Sequence, residues 1–398
     1  MWELVMSLYD SSGNLDFMQE VETTTGARRD SDYDQASQND WQLIQTYYNA
    51  QGRLDWQHVR YDNGTLTAND WDAASQNDWS LVTTGYDAQG RLDWQREDRD
   101  DGSRVDRDWD QANGGIWSLY TTVYDAQGRL DWQREDRDDG SRVDRDWDQL
   151  NQNAWSTYTV LYDAQGRVDY ASAVWDNGTR TDTDYDQLNQ NAWSTYSVVY
   201  DAQGRVDYAS AVWDNGGRTD TDHDLLGQHG WRTYSVTYDA GGRIDFVSTI
   251  FDNGTRYDVD YDLLNQHNWR FNSVTYDAAG RVDYSYAILD DGTGYAVDYD
   301  LLNQFSWSYR AITLDASGRV DYITERTDDG WIIAEDFDLL NQHSWSMQRV
   351  IFHEDGRLWW AGNAQRVVRF ADSGGGSDWW RDLLDEVTRD FIRINIRF

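Results

Sequence analysis

Tyr162 to Trp193 reads YDAQGRVDYASAVWDNGTRTDTDYDQLNQNAW, and close copies of this text return along the chain at a spacing of 38 residues. The glycine of YDxxGR falls at Gly13, Gly52, Gly90, Gly128, Gly166, Gly204, Gly242, Gly280, Gly318 and Gly356, with a one-residue slip between the first two. A tryptophan column runs beside it, at Trp2, Trp41, Trp79, Trp117, Trp155, Trp193, Trp231, Trp269, Trp307 and Trp345. Such a period makes the chain about ten copies of one supersecondary unit, each contacting mainly its neighbours.

The fifth copy, led by Trp155, shows what the unit is. Ser156 to Tyr162 is rich in Thr, Tyr and Val and reads as a first strand. Asp163-Ala164-Gln165-Gly166 has aspartate where a type I turn begins and glycine where a positive backbone angle closes it, so a second strand, Arg167 to Trp175, returns antiparallel. In that strand Val168, Tyr170, Ser172 and Val174 alternate with Asp169, Ala171, Ala173 and Trp175. Asp176-Asn177-Gly178 is a second hairpin signal, repeated as far as Gly254 and beyond. The third strand, Thr179 to Asp186, sets Thr181, Thr183 and Tyr185 against Arg180, Asp182, Asp184 and Asp186, and the connector QLNQNA leads to Trp193.

The unit is therefore a three-stranded antiparallel meander, too small to stand alone, which stacking must complete. The expected fold is all-β, with tandem 38-residue repeats forming a curled or spiral sheet, a shell-like solenoid. About thirty strands at ~4.8 Å spacing would run roughly 140 Å, a length that forces curling. A multi-bladed propeller-like ring is the alternative. Residues 1–372 form the ten-copy array, and residues 373–398 a Gly-rich link followed by an amphipathic helix that caps the open sheet edge.

Of 398 residues, 72 are Asp or Glu and 34 Lys or Arg, a formal charge of -38 that excludes a nucleic-acid backbone as partner and disfavours an anionic membrane. No cysteine is present, so disulfides and thiolate metal sites are excluded. No proline is present either, leaving the turns to Gly, Asn and Asp. The 23 Trp, 26 Tyr and 10 Phe, held in register, argue against disorder. No apolar run is long enough for a transmembrane segment, and the first residues lack a secretory-signal pattern.

The repeated YDxxGRxDY, as at Tyr86 to Arg91, Tyr124 to Arg129, Tyr162 to Arg167, Tyr200 to Arg205 and Tyr276 to Arg281, resembles the tyrosine-aspartate repeats, also called YD or RHS repeats, of large bacterial secreted and surface proteins. The resemblance covers about nine tenths of the chain. It implies a spiralling β-sheet that in such proteins can enclose a toxic cargo, and a location outside a bacterium or at its surface. This period is longer than the usual YD unit.

Two features carry candidate chemistry. Asp182, Asp184 and Asp186, and equally Asp258, Asp260 and Asp262, lie at alternate positions of the third strand, where like charges at ~7 Å intervals call for neutralisation. Arginines such as Arg180 and Arg256 share that face, and calcium, with its preference for hard oxygen ligands, is the other neutraliser. The tryptophans Trp155, Trp193, Trp231 and Trp269 read first as packing at the repeat boundary, and otherwise as a platform for sugar rings. His229, His267 and His343 share a column with Phe305, the pattern of a connector and not of a metal site.

No catalytic residue is assigned, because any carboxylate pair recurs with the repeat while an active site needs one privileged environment. The expected role is a non-enzymatic extracellular scaffold or adhesin segment, calcium-stabilised and exported by a type I-like route. A carbohydrate-binding array and a fragment of a toxin-encapsulating shell are the alternatives. The expected partners are a polysaccharide, a cell-surface molecule, or another copy joined through sheet edges.

Overall fold

A computed structural model describes residues 1–363 and 366–368, apart from residues 36, 112–113, 150, 188, 264, 302 and 340–343. The expected link and helix of 373–398 lie outside the described residues, as does His343. The described chain is all β, in thirty strands from β1 (Trp2–Tyr9) to β30 (Arg366–Val368). It divides into two compact units, residues 1–229 with 235–243, and residues 230–234 with those from 244 onward.

In the first unit the repeat led by Trp155 is β13 (Trp155–Tyr162), β14 (Val168–Trp175) and β15 (Arg180–Asp184), all antiparallel. The turns are those the residues dictate. Gly166 and Gly204 of the YDxxGR turn stand at φ 77° and 78°, and Gly178 and Gly254 of the DNG turn at 85° and 87°. L-residues reach that region only at a steric cost.

The third strand of one repeat also hydrogen-bonds the first strand of the next. β15 pairs with β16 (Trp193–Tyr200), just as β3 (Arg28–Tyr33) pairs with β4 (Trp41–Tyr48). In the second unit β21 (Arg256–Asp260) pairs with β22 (Trp269–Tyr276) in the same way. Propeller blades are separate sheets. This continuous ladder therefore replaces the propeller-like alternative with a tandem antiparallel sheet.

Two register shifts per repeat modify the simple alternation. β13 pairs Trp155 with Trp175 and Thr157 with Val174, leaving Ser156 as an extra residue, and pairs Leu161 with Tyr170 and Tyr162 with Val168, leaving Asp169 extra on β14. The Ser156 hydroxyl donates to the Val174 carbonyl at 3.2 Å, which holds the first bulge. Because of the second, Val168 does not share a face with Tyr170, Ser172 and Val174 as strict alternation predicts.

The pairing register has a further effect. Opposite residues share a face, and Asp182 leads through Val198 of β16 and Ala209 of β17 (Val206–Trp213) to Thr221 of β18 (Arg218–Asp222). Asp220, the equivalent of Asp182 one repeat later, is the neighbour of Thr221 and so lies on the other face. The second unit behaves alike, since Asp258 leads through Val274 and Ser285 to Val297, the neighbour of Ala296, which stands in the equivalent position. Within each unit, then, both faces carry the same motif in alternate repeats.

Among the described residues the backbone of each strand within a unit packs only against the strand before it and the strand after it, with long side chains such as Trp2, 6.3 Å from Tyr47, reaching further. Burial therefore comes from cross-strand neighbours: Val143 is 1% exposed, and Val105, Val160, Val198 and Val236 are buried at related positions. In the second unit Val350, Phe352 and Ala361 form a small core flanked by Ile332 and Leu358.

Candidate functional site

The YDxxGR turn is built around its aspartate. Asp163 Oδ1 accepts the backbone N–H groups of Gln165 (3.0 Å) and Arg167 (2.8 Å), and Oδ2 accepts the Arg167 Nε–H at 2.7 Å. The same three bonds recur at Asp201, Asp239, Asp277 and Asp315. At Asp277 the Arg281 backbone N–H, outweighing burial and aided by its guanidinium, holds the carboxyl below the ordinary 3.8. The tyrosine has a separate task. The Arg180 guanidinium lies 4.2 Å from the centre of the Tyr200 ring and 3.1 Å from Asp182, and Arg256 repeats this at 4.0 Å from Tyr276 and 3.1 Å from Asp258.

The aspartates of the third strand fall into two classes. Asp182 and Asp258 lie within the strand, each accepting a serine hydroxyl at 2.7 Å, from Ser172 and Ser248, besides the arginine. Asp184 and Asp260 end the strand, and their carboxylates accept the backbone N–H of Asp186 and Asp262. Asp186 and Asp262 do not belong to the strand ladder. Their backbones turn into the left-handed region, at φ 39° and 41°. Each carboxylate there nucleates the connector, Asp186 accepting from the N–H groups of Gln190 and Asn191 at 2.9 Å, and Asp262 from those of Gln266 (2.7 Å) and His267 (3.0 Å). Aspartate tolerates that region because its short side chain bonds the local backbone.

The aspartate of GRxD has a role that strict alternation did not show, while its neighbour Arg167 pairs with Asp163 of the turn. Asp169 is the extra residue of the bulge: its carbonyl accepts the Tyr185 N–H (2.8 Å) and its carboxylate the Gln187 N–H (3.2 Å), which directs the chain out of the third strand. Asp245 does the same for Tyr261 (2.8 Å) and Leu263 (2.7 Å). This gathers three carboxylates per repeat, from the bulge, the strand end and the connector. The signal was the recurring aspartate two residues after the turn arginine.

Burial, followed by the charges of Asp131 and Asp148, pushes the Asp146 carboxyl above 3.8, and Asp108 rises for the same reason with Asp93 and Asp110 as neighbours. Among the described residues no group of three or more His, Asp or Glu is arranged to hold a metal ion.

The tryptophans stand between their two expected roles. Trp155, Trp193, Trp231 and Trp269 are half-buried, and the first three each lie 5.7 Å from the tyrosine three residues on, Tyr158, Tyr196 and Tyr234. At two positions of the histidine column a ring covers the tryptophan: His267 stacks on Trp269 at 4.2 Å, and Phe305 on Trp307 at 4.4 Å.

One shallow cleft of about 330 Å³ is lined by Trp94, Arg96, Asp106, Asp108, Tyr120 and Thr122, among others. Tyr86 to Gln111 is identical in sequence to Tyr124 to Gln149 over the hairpin and third strand, yet the two copies differ at this place. Arg96 pairs with Asp98 and leaves Trp94 39% exposed, whereas Arg134 pairs with Asp144 at 2.9 Å and lies 4.9 Å over Trp132. The facing residue also differs, Thr122 opposite Asp106 and Val160 opposite Asp144.

Compared with known proteins, the chain matches no protein-family model and no curated protein.

Proposed function

We propose that this chain is a non-enzymatic structural segment of an extracellular bacterial protein, an adhesin-type scaffold whose repeats serve as spacers. The observation that carries this reading is the alternation of faces. Equivalent groups appear on both sides of the sheet, and the recurring chemistry inside each repeat, the turn aspartate, the arginine stacked on tyrosine and the connector aspartate, is spent on holding strands together. The YDxxGR text supports placing the chain with YD-type repeat proteins of bacterial surfaces. A shell around a cargo needs an inner face different from its outer one, which these repeats do not supply.

The test is a series of copy-number variants. In a spacer, removal of whole repeats leaves a folded protein that still presents whatever is fused to its ends, with reach falling in proportion. Loss of all function on removing one internal repeat would favour a unique site instead.

Calcium enters this reading only as a counterion to the charge of -38, since the aspartates of the third strand and connector already accept donors. Thermal unfolding in calcium and in magnesium at equal ionic strength should therefore coincide. A shift confined to calcium would restore a dedicated site.

The exposed Trp94 beside Tyr120 favours a second reading at that one place, a sugar-ring platform edged by Asp106, Asp108 and Arg96. Tryptophan fluorescence titrated with polysaccharides, compared between the parent chain and Trp94→Ala, decides it: saturable quenching lost in the variant supports the platform.

A further inference from the structure

The cleft beside Trp94 has a cause in the sequence. Gly85, on the strand Trp79–Tyr86, stands directly opposite Trp94, and the indole lies across it: a Cβ at Gly85 would fall 2.5 Å from Cε2 and 2.7 Å from Cδ1 of that ring. Every other first strand carries a side chain at this position, among them Tyr47, Val123, Leu161 and Thr237. Val123 stands opposite Trp132, so in the next copy the same lean is sterically closed to the indole.

That next copy, identical in sequence from turn to third strand, shows what the place accepts. There the Arg134 guanidinium lies over Trp132 and donates to the Asp144 carboxylate, from Nε at 2.9 Å and from Nη2 at 3.3 Å. The corresponding Arg96 turns instead to Asp98, and Arg104 Nη2 lies 3.1 Å from Asp106 Oδ2. Asp106 Oδ1 is left buried with no hydrogen-bond partner among the described residues, which is a cost to the folded state. Tyr120 and Thr122, opposite Asp108 and Asp106, form the other wall. The Asp108 carboxyl is pushed above 3.8 by burial and by the charges of Asp93 and Asp110, so a cation in the cleft is electrostatically favoured. An aromatic face beside a bare carboxylate oxygen suits a guanidinium, which is planar, stacks on rings and donates in a fork.

We infer that this cleft binds an arginine side chain of a partner polypeptide, its guanidinium stacked on Trp94 and donating to Asp106 Oδ1. The net charge of -38 draws a basic partner to the surface, and the cleft gives one of its arginines a fixed place. The inference goes beyond the spacer reading, which stands whatever its outcome, and it names a charged ligand where the sugar platform takes a neutral one.

The experiment uses the full chain labelled with fluorotryptophan, followed by fluorine NMR, with N-acetyl-arginine amide as the probe. The Trp94 signal is the one missing from Trp94→Phe. It should shift saturably, and N-acetyl-lysine amide, of equal charge, should bind about threefold more weakly. Gly85→Val gives this copy the residue of the next. That variant should keep the parent circular dichroism spectrum and lose the shift, because Arg96 then takes the stack as Arg134 does. Arg96→Ala should bind the probe at least as tightly as the parent. No saturable shift of the parent at millimolar probe overturns the inference, and a response confined to Arg96→Ala shows that the chain's own Arg96 fills the cleft. A shift undiminished in Gly85→Val also overturns it. A shift with a neutral oligosaccharide but none with the arginine probe overturns it in favour of the sugar platform.

Discussion

Asp277 and Gly280 share one turn, and their demands are separable. Gly280 stands at φ 80° with nothing within 4 Å of the position a methyl group would take, so Gly280→Ala costs only backbone strain, about 1–2 kcal/mol. Gly254, at φ 87°, also faces the Ala278 methyl of the following repeat at 3.2 Å, so Gly254→Ala adds crowding of about 1 kcal/mol. Calorimetry of the two variants should rank Gly254→Ala as the more destabilised, and equal melting would deny that this turn packs against the next repeat.

The carboxylates predict a pH profile. The turn set, Asp239, Asp277 and Asp315, is held below 3.8 chiefly by backbone N–H donors, so its stabilisation is complete above 3.8 and disappears as pH falls through the lower folded values. The strand-end set, Asp32, Asp70, Asp108, Asp146 and Asp298, is raised above 3.8 first by burial and then by neighbouring carboxylates, so its contribution is present below 3.8 and is lost as pH rises through the folded values. Lowering the pH from neutrality relieves the second set before it harms the first. Melting temperature should pass through a maximum at about pH 4 to 5, and a steady decline from pH 7 would contradict it.

At the scale of strands, the seam between repeats rests on the arginine stacked on tyrosine. A double-mutant cycle on Arg256→Met and Tyr276→Leu should give a coupling of about 0.5–1 kcal/mol by urea unfolding, and strict additivity would reduce the stack to packing alone. This seam was only half legible in the sequence. YDxxGR and DNG announced their hairpins because glycine and aspartate at those spacings have few other uses. The partner strand of Tyr276 could not be read, because nothing local says that Arg256, twenty residues upstream, lies opposite it. The bulges were hidden for a related reason: Ser156 and Asp169 look like ordinary members of an alternating strand until a partner strand exposes the extra residue. The strict alternation that put Asp186 and Asp262 on a ladder failed two residues past the strand end. There the chain turns left-handed, and the carboxylate serves the connector.

For the molecule as a whole, the consequence of repetition is that stability accumulates from junctions built on one plan. Six third strands present an arginine to the tyrosine of the next first strand, from Arg28 on Tyr48 to Arg256 on Tyr276, while Leu66 opposite Tyr86, Gly294 opposite Leu314 and Ile332 opposite Phe352 take that place at three others. Removing residues 125–162 joins Tyr124 to Asp163 and restores YDAQGR at the joint, so every junction in the shortened chain is of a kind the parent already has. In a nearest-neighbour array such a deletion removes one unit and one junction and leaves the others unchanged. The shortened protein should keep the parent's circular dichroism per residue, and its urea m-value should fall by about a tenth, in line with the surface no longer exposed on unfolding. A deletion of only residues 144–162 gives the opposite case: it joins Val143 to Asp163, putting a third strand directly onto a YDxxGR turn that has lost its first strand. Register and direction then fail together at one junction, and this variant should aggregate or lose its cooperative transition. If the two deletions behaved alike, the repeats would not be the units in which this sheet is built.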